Sequence, residues 1–454
     1  MLVRRVLTAV LAALAMIATA APVSAQAGPR QFTGTIHGVP FAVEIPAGWN
    51  GTLLLWSHGY GEPAPLPEPT LAGALLDHGY ALAGTAFPDL PWASRDAVVD
   101  QLALLDWFAA NVGHPRRTVA IGQSVGGQVT TVLAERHPGR FSAALPMCGP
   151  VAGGVGWYNG MFDIAFALKT LLWPDSAVQI AHIADPEANL TLASGLLREA
   201  LSTPAGQARL ALANAFGDVP GWADSLAPRP SDPGEAVVHQ YLYDRYQIGT
   251  FLFGAARALA EERLGGNPSW NLGVDYARQL ASSSQRDEVA ELYRRAGLDL
   301  GADLATLAGA PRVAPEPHAV AGLARDASTF GLPSVPTLTM HTTGDGTTVV
   351  EAERWYGDRA AALGRSGNLR QTFVDRGNHC FFTVAEMLAG VRAVQQRMDT
   401  GSWGDTSPAA LNAVANSYGP GYRQMWSYYS EGTATVDGAF QTIRPGRFPR
   451  PFPF

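Results

Sequence analysis

The stretch VAIGQSVGGQVT, from Val119 to Thr130, decides how this sequence is interpreted. It passes from a short apolar run through Gly122-Gln123-Ser124-Val125-Gly126 into a segment with helical spacing. A turn this tight between a strand and a helix requires small residues two positions before and two positions after its centre. Glycine is abundant, at 49 of 454 residues, so the pattern alone does not separate a nucleophile from a glycine-rich turn. The rest of the chain has to supply partners for Ser124.

Short apolar runs alternate with helical patterns on both sides of this turn. The runs are Leu53–His58, Ala81–Phe87, Val119–Gly122, Ala143–Cys148, Thr337–Thr342 and Arg370–Val374. The helical patterns lie at Thr70–His78, Arg95–Asn111, Val125–His137, Val349–Leu363 and Thr383–Met398. Buried strands that alternate with helices predict an α/β fold, with a mostly parallel sheet covered by helices. An alternating segment, Phe32–Pro46, predicts an antiparallel hairpin at one edge.

This rhythm stops between residues 150 and 332, where helical patterns dominate. Helices are predicted there at Phe162–Leu172, Leu190–Leu201, Val237–Glu262 and Arg286–Arg295. We therefore expect a core formed by residues 26–149 and 333–399, interrupted by a mostly helical cap domain at 150–332. Residues 400–454 are expected to form a C-terminal extension on the surface, since their last ten residues show no helix or strand period.

The first 25 residues have the features of a signal peptide. Arg4 and Arg5 precede an apolar run from Val6 to Ala21, and Val23-Ser24-Ala25 offers a small-residue cleavage site. The alternative is an uncleaved membrane anchor, but the run is short for a bilayer span of about 20 residues. We expect cleavage near Ala25 and secretion of the remaining chain, by either the general or the twin-arginine route.

The charge balance excludes two classes of partner. The formal net charge is −7, and both signs are mixed along the chain. There is thus no basic footprint for nucleic acid and no polybasic patch for a membrane surface. We also find no paired histidines at metal-ligand spacing, so no metal or other cofactor is expected.

A serine nucleophile needs a base, because its hydroxyl is barely ionised at neutral pH. His379 follows the run Arg370–Val374, which places it at the carboxyl end of the last core strand, where ligands gather in open α/β sheets. His341 lies inside a strand run and is expected to be a core histidine. The base in turn needs an acid to orient it, and Asp345 follows the preceding strand. Asp375 is the rival, but we expect it to shape the turn before the histidine.

The oxyanion that forms during acyl transfer requires two hydrogen-bond donors. The backbone N–H of Val125 directly follows the nucleophile and supplies one. The second is assigned to the N–H of Tyr60, in the loop Ser57-His58-Gly59-Tyr60-Gly61 after the first parallel strand. His58 is expected to brace this loop.

With these placements the chain resembles the serine α/β-hydrolase superfamily, and more narrowly its exported bacterial esterase-like or lipase-like members with a helical cap. The motifs that carry the resemblance are LLLWSHGYG, AIGQSVGG, TMHTTGD and DRGNHCFFT. The order Ser124, Asp345, His379 is the order of that superfamily and differs from the chymotrypsin and subtilisin orders. The resemblance implies that these three residues form a catalytic triad and that the enzyme needs no cofactor.

The two cysteines, Cys148 and Cys380, then fall at the same edge of the sheet. Cys148 ends the strand that follows the elbow helix, and Cys380 follows His379. A disulfide between them is plausible in an oxidising compartment and would hold the histidine loop. Two buried free thiols are the alternative.

The expected function is hydrolysis of carboxylic esters through an acyl-enzyme on Ser124, with small or polymeric lipophilic esters as substrates. Aromatic residues early in the cap either line the substrate pocket or form the cap's own core: Trp157, Tyr158, Phe162, Phe166 and Trp173. An exported peptidase or amidase of the same fold is the first alternative, with Glu261-Glu262 as a candidate acidic pair. A non-catalytic binding protein is the second. The oligomeric state stays open.

Overall fold

The computed structural model describes residues 28–88, 91–92 and 95–452. The expected signal peptide, residues 1–25, lies outside this part of the chain. Within the described ranges, no helix combines the length and the apolar character that a membrane span needs.

A nine-stranded mixed sheet forms the centre of the molecule, in the order β1-β2-β4-β3-β5-β6-β7-β8-β11. Its strands are β1 (Arg30–Ile36), β2 (Val39–Ile45), β3 (Thr52–Ser57), β4 (Ala81–Thr85), β5 (Arg117–Gln123), β6 (Ala143–Met147), β7 (Thr337–Gly344), β8 (Leu369–Gly377) and, from the tail, β11 (Phe440–Gln441). The six strands from β4 to β8 in this order are parallel, and both edges are antiparallel. The predicted fold class is confirmed.

The edge hairpin forms where the alternating pattern predicts it. Ile36 pairs with Val39, so the turn consists of His37 and Gly38, whose φ angles are 52° and 83°. Two successive residues with positive φ match the twist of a two-residue hairpin. The hairpin joins the sheet through β2, which pairs with β4.

Helices cover both faces of the sheet. They are α1 (Pro69–Asp77), α2 (Arg95–Asn111), α3 (Val125–Arg136), α14 (Glu351–Ala362) and α15 (Val384–Thr400). Alternate residues of one strand face opposite helices: Leu54 packs in the cluster with α1 and α15, whereas Leu53 and Leu55 pack in the cluster with α2 and α3. The central strands are buried on both faces, which explains their continuous apolar runs.

Residues 150–332 contain ten helices and none of the sheet strands. They are α4 (Gly154–Leu172), α5 (Pro186–Leu201), α6 (Pro204–Ala215), α7 (Pro233–Tyr246), α8 (Gly249–Phe253), α9 (Ala255–Leu264), α10 (Tyr276–Ser282), α11 (Arg286–Ala296), α12 (Leu300–Gly309) and α13 (Pro317–Ala327). The single helix predicted at Val237–Glu262 is wrong, because the chain breaks twice there, after Tyr246 and at Gly254. Glycines at 154, 156 and 160 masked the first two turns of α4 from the sequence pattern.

The tail differs from a plain surface extension. It contains a helix, α16 (Pro408–Asn416), a small hairpin of β9 (Gln424–Trp426) with β10 (Thr433–Thr435), and the edge strand β11. Because β11 pairs with β8, the tail completes the main sheet on the side that carries the histidine loop. Further on, Arg450 reaches Asp163 in the insertion at 2.6 Å. The last described residues do lack helix and strand, as their composition indicates.

Candidate active site

Ser124 occupies the strained turn between β5 and α3. Its backbone has φ 56° and ψ −124°, a conformation that L-residues rarely adopt. The glycines on either side leave no room for a side chain: a Cβ on Gly126 would lie 2.0 Å from the carbonyl oxygen of Ser57, and one on Gly122 would lie 2.6 Å from it. The tight turn that exposes Ser124 at the end of the sheet, the nucleophile elbow, therefore requires glycine at both positions.

His379 lies two residues after the end of β8 and contacts the serine. The Oγ–H of Ser124 donates to Nε2 of His379 at 2.8 Å, and Nδ1–H of His379 donates to Oδ2 of Asp345 at 2.6 Å. An ionised carboxylate accepts only, so the proton of the neutral imidazole belongs on Nδ1. Nε2 is then free to accept the serine proton, as a general base requires.

Asp345 follows β7 and is fixed by the residues after it. Its Oδ1 accepts the backbone N–H groups of Thr347 and Thr348, each at 2.9 Å, and its side chain is fully buried. The structure thus places Asp345 against His379. Asp375 lies inside β8 rather than in a turn, and it accepts a hydrogen bond from Thr343 at 2.9 Å. Its expected role in the turn is wrong.

A second histidine lies behind the carboxylate. His341 is buried within β7, as expected of a core residue, and its Nδ1 is 3.2 Å from Glu353. Burial alone would lower the pKa of His341, but the hydrogen bond that its Nδ1–H donates to Glu353 and the charges of Asp345 and Glu353 outweigh it, so its pKa is raised. The sequence did not reveal that this core histidine belongs to the network of Asp345.

The loop after β3 passes directly over the elbow. A Cβ on Gly59 would lie 3.4 Å from Cβ of Ser124, so the backbone of this loop reaches the nucleophile. His58 is buried, stacks on Phe87 and lies 2.7 Å from the carbonyl oxygen of Gly59, consistent with its bracing role. Val125 begins α3, whose first N–H groups and dipole favour negative charge.

A cavity of about 640 Å³ opens above the serine. Its lining comes from the β3 loop, the elbow, helix α7, the histidine loop and the tail: Gly59, Tyr60, Glu62, Gln123, Ser124, Leu242, Tyr246, Gln247, Asn378, His379, Cys380, Phe381, Tyr428 and Tyr429. Sequence analysis missed Glu62 and the three tyrosines at 246, 428 and 429. Only Glu62 left a signal, as a carboxylate two residues after Tyr60. Gln123, from the opening motif, lies in the lining and donates to the sulfur of Met387.

The disulfide between Cys148 and Cys380 holds the histidine loop to the end of β6. Both cysteines have positive φ, at 44° and 60°, and Asn378 has φ 79°. Strained backbone of this kind persists only where the surroundings fix it, and it clusters at functional sites. The sulfurs and His379 lie within 4.8 Å of one another, but sulfurs bonded to each other are not the thiolates that bind metals.

The aromatic residues of α4 form the core of the insertion. Trp157, Tyr158, Phe162, Phe166 and Trp173 are all buried, and none of them lines the large cavity. Trp157 alone reaches a small adjoining cavity that Ser124 and Val125 also line. Glu261 is buried against Arg257 at 2.9 Å and is absent from both linings, so it does not supply an acidic site beside the serine.

The sequence is 30% identical to an o-phthalyl amidase from Xanthobacter agilis over 429 residues, which cover 86% of this chain and 92% of the amidase. The chain belongs to the same family, within the serine α/β-hydrolase superfamily. The superfamily predicted from the sequence is thereby confirmed, and the protein is a serine hydrolase of that fold. No protein-family model matches the sequence.

Solved structures that resemble this hydrolase include two esterases. Feruloyl esterase B from Aspergillus oryzae matches with a TM-score of 0.38 and 14% identity, covering 81% of this chain and 80% of that one. The cell wall degrading esterase LipA from Xanthomonas oryzae matches with a TM-score of 0.36 and 15% identity, covering 82% and 89%. Neither likeness bears on the substrate.

Proposed function

We propose that this hydrolase cleaves carboxylic esters through an acyl-enzyme on Ser124. The observation that carries the proposal is the continuous hydrogen-bonded chain from Ser124 through His379 to Asp345, at 2.8 and 2.6 Å. Each atom has one role there: Oγ attacks, Nε2 takes the proton, and the carboxylate stabilises the imidazolium that results.

The reaction proceeds in two halves. Attack of Oγ on the carbonyl carbon transfers the serine proton to His379 and forms a tetrahedral oxyanion, held by the N–H groups of Val125 and Tyr60. His379 then protonates the leaving oxygen, and the acyl group stays on Ser124. A water molecule, activated by the same histidine, releases the acid and restores the serine.

The cavity sets the class of ester. Its volume of about 640 Å³ suits a small or medium-sized substrate, or one end of a polymer, rather than a folded protein. Five of its lining residues are tyrosine or phenylalanine, which favours lipophilic or aromatic groups. We propose that residues 150–332 serve as the cap of this site, because helix α7 contributes Leu242, Tyr246 and its following residue Gln247.

Amide hydrolysis is the second candidate, favoured by the relationship to the o-phthalyl amidase. The same chain of residues can protonate an amine leaving group. Amides demand more of this proton transfer than esters do, since an amine anion is a far poorer leaving group than an alkoxide.

We further propose that the protein is secreted after cleavage near Ala25. Disulfides persist in oxidising compartments and are rare in the cytosol, so the bond between Cys148 and Cys380 supports export. Mass spectrometry of the protein recovered from the culture medium tests the cleavage site.

The decisive experiment compares esters and amides that share one acyl group. p-Nitrophenyl acetate with p-nitroacetanilide forms one pair, and an ester and an amide of 2-carboxybenzoic acid form the second. We expect turnover of the ester in the first pair to exceed that of the amide, and Ser124→Ala to lose at least about 10³-fold in kcat. A larger kcat/KM for the amide in both pairs would establish the amidase instead.

Labelling by a fluorophosphonate separates catalysis from binding alone. Wild type should be labelled on Ser124, whereas Ser124→Ala should not. Ser142→Ala is a matched control, because that serine lies outside the cavity. Folded wild type that resists the label and hydrolyses no substrate in the panel would point to a non-catalytic binding protein.

A further inference from the structure

We propose that the cavity selects substrates with a positively charged leaving group, an ammonium held by Glu62 among tyrosine and phenylalanine rings. This inference rests on the proposed function and names the substrate class of the same site. It follows from the charges in the lining, their distance from the serine and the rings that surround them.

The charge of the cavity comes from Glu62. In the part of the chain that the structure describes, Glu62 is the only carboxylate in the lining, and neither lysine nor arginine belongs to it. Among the lining residues, His379 could carry a positive charge, but its imidazole must be neutral to accept the serine proton. A substrate in this cavity therefore meets a net negative charge.

Glu62 lies beside the reacting atoms. The position that a Cβ on Gly59 would occupy is 3.4 Å from Cβ of Ser124 and 3.7 Å from Oε2 of Glu62. Both atoms thus lie close to Gly59, and the two distances of 3.4 and 3.7 Å limit their separation to about 7 Å. A tetrahedral intermediate on Ser124, which still carries the leaving group, would place that group within reach of this carboxylate.

Aromatic rings complete the site for a cation. Tyr428 and Phe381 contact each other in an edge arrangement with ring centroids 5.8 Å apart, and Tyr246 and Tyr429 lie in the same lining. The faces of such rings carry partial negative charge and attract ammonium groups, quaternary ones in particular. Tyr246 and Tyr428 are 63% and 62% exposed, so both can receive a ligand.

The tyrosines already experience the acidic surroundings. Burial, followed by the charge of Glu62, raises the pKa of Tyr428. Burial, and after it the charges of Tyr428, Tyr246 and Asp224, raises the pKa of Tyr429, while the hydrogen bond from Gln247 opposes the rise. Arg245 lies beside one of these rings: its guanidinium is 5.2 Å from the centroid of Tyr246, and the residue is outside the lining. Trp426 packs against Phe381 and Tyr428, with ring centroids 5.2 and 3.9 Å apart, and Tyr428 remains 62% exposed.

Two thioesters of equal shape test the selection. Acetylthiocholine carries a quaternary ammonium, and 3,3-dimethylbutyl thioacetate replaces that nitrogen by carbon. Release of the free thiol product measures both reactions. The protein contributes no free thiol to this signal, because its two cysteines form a disulfide. We expect wild type to prefer the cationic thioester by about tenfold in kcat/KM, an effect in the range of one cation–π and one partly exposed ionic contact.

Glu62→Gln should reduce this preference to within about twofold, because the ionic contact with the ammonium is lost. Added salt should weaken the preference of wild type and leave that of Glu62→Gln unchanged, because an exposed charge is screened. Glu431→Gln is the matched control: Glu431 is an exposed glutamate in the tail, three residues after Tyr428, and is absent from the lining. It should keep the wild-type preference. Tyr428→Leu tests the rings and should lower the preference at constant charge.

Three results would count against the inference. Equal kcat/KM for the two thioesters in wild type overturns the inference. A folded Glu62→Gln protein that keeps the wild-type ratio of kcat/KM between the cationic and the neutral thioester overturns it too. Both results leave the proposed function intact. Wild type that is labelled by fluorophosphonate but hydrolyses only anionic substrates also overturns it. Failure of the proposed function is a different outcome, in which wild type is neither labelled nor active on any thioester.

Discussion

His341 and Asp345 approach each other inside the sheet, with Nε2 of His341 3.6 Å from Oδ2 of Asp345. The same oxygen accepts the hydrogen bond from His379. One buried carboxylate is therefore shared by a histidine that faces the serine and by a histidine that faces Glu353. The carboxylate that orients the proposed base thus also lies beside a histidine that is absent from the cavity lining.

Replacing His341 by Gln should change how stability depends on pH. The pKa of His341 is raised in the folded protein, so the folded state binds its proton more tightly than the unfolded state. The stabilisation is therefore fully present below about pH 6.5 and is lost as pH rises through the folded pKa. We expect wild type to lose more free energy of unfolding than His341→Gln between pH 6 and pH 9, by about 1.4 kcal/mol for each unit by which the pKa is raised. Urea titrations at a series of pH values measure this. Parallel stability curves for the two proteins would contradict it.

Removal of the disulfide should affect both stability and turnover. Cys148 and Cys380 both have positive φ, and without the bond nothing covalent keeps the loop of His379 in that conformation. We expect Cys148→Ala/Cys380→Ala to lose about 2–4 kcal/mol of stability, with a ceiling near 5 kcal/mol for a closed loop of this length. The value of kcat should fall by more than KM changes, because the histidine moves relative to the serine. Thermal melts and steady-state kinetics, with and without reductant on wild type, measure both effects. An unchanged kcat in the folded double variant would show that the loop is held by other contacts.

The three triad residues could be predicted from the sequence, because a position after a buried strand is visible in the neighbouring residues. Ser124, Asp345 and His379 each follow an apolar run, and the parallel sheet brings the three strand ends to one edge. No comparable pattern in neighbouring residues predicts which side chains line the cavity. Tyr428 enters from the C-terminal tail and Glu62 from a loop near the other end of the chain, so their meeting depends on contacts between distant segments. The same reason hid β11, a two-residue strand that only its pairing with β8 defines.

Gly126→Ala should prevent correct folding around the nucleophile. A methyl group there would lie 2.0 Å from the carbonyl oxygen of Ser57 and 2.5 Å from that of His58, and both are backbone atoms of the central sheet region. The strand and the helix would have to separate. We expect this overpacking to cost about 3 kcal/mol or more of the free energy of unfolding. We expect a large loss of soluble protein and of fluorophosphonate labelling. Gly139→Ala is the matched control, since a Cβ there meets nothing within 4 Å and the φ angle is not positive. A soluble, fully labelled Gly126→Ala protein would contradict the elbow geometry.

Arg450, in the C-terminal tail, should contribute strongly to stability through its contact with Asp163. It donates to Oδ2 of Asp163 at 2.6 Å, and the Asp163 side chain is fully buried within α4. Burial raises the pKa of Asp163, and the charge of Arg450 opposes that rise. Arg450→Gln removes the opposing charge and leaves a buried carboxylate without a counterion, which costs about 3–5 kcal/mol.

The pH dependence distinguishes this charge effect from a loss of packing. With its folded pKa raised, Asp163 binds its proton more tightly in the folded state, so stability is lost as pH rises through that pKa. Arg450→Gln should therefore be more destabilised at pH 8 than at pH 5. Adding Asp163→Asn should restore much of the loss, because no buried charge then remains. Arg447→Gln, a change of the same type at an exposed position of the tail, should leave the unfolding free energy within about 0.5 kcal/mol of wild type. An Arg450→Gln protein that is destabilised equally at both pH values, and not rescued by Asp163→Asn, would show that Arg450 acts through packing alone.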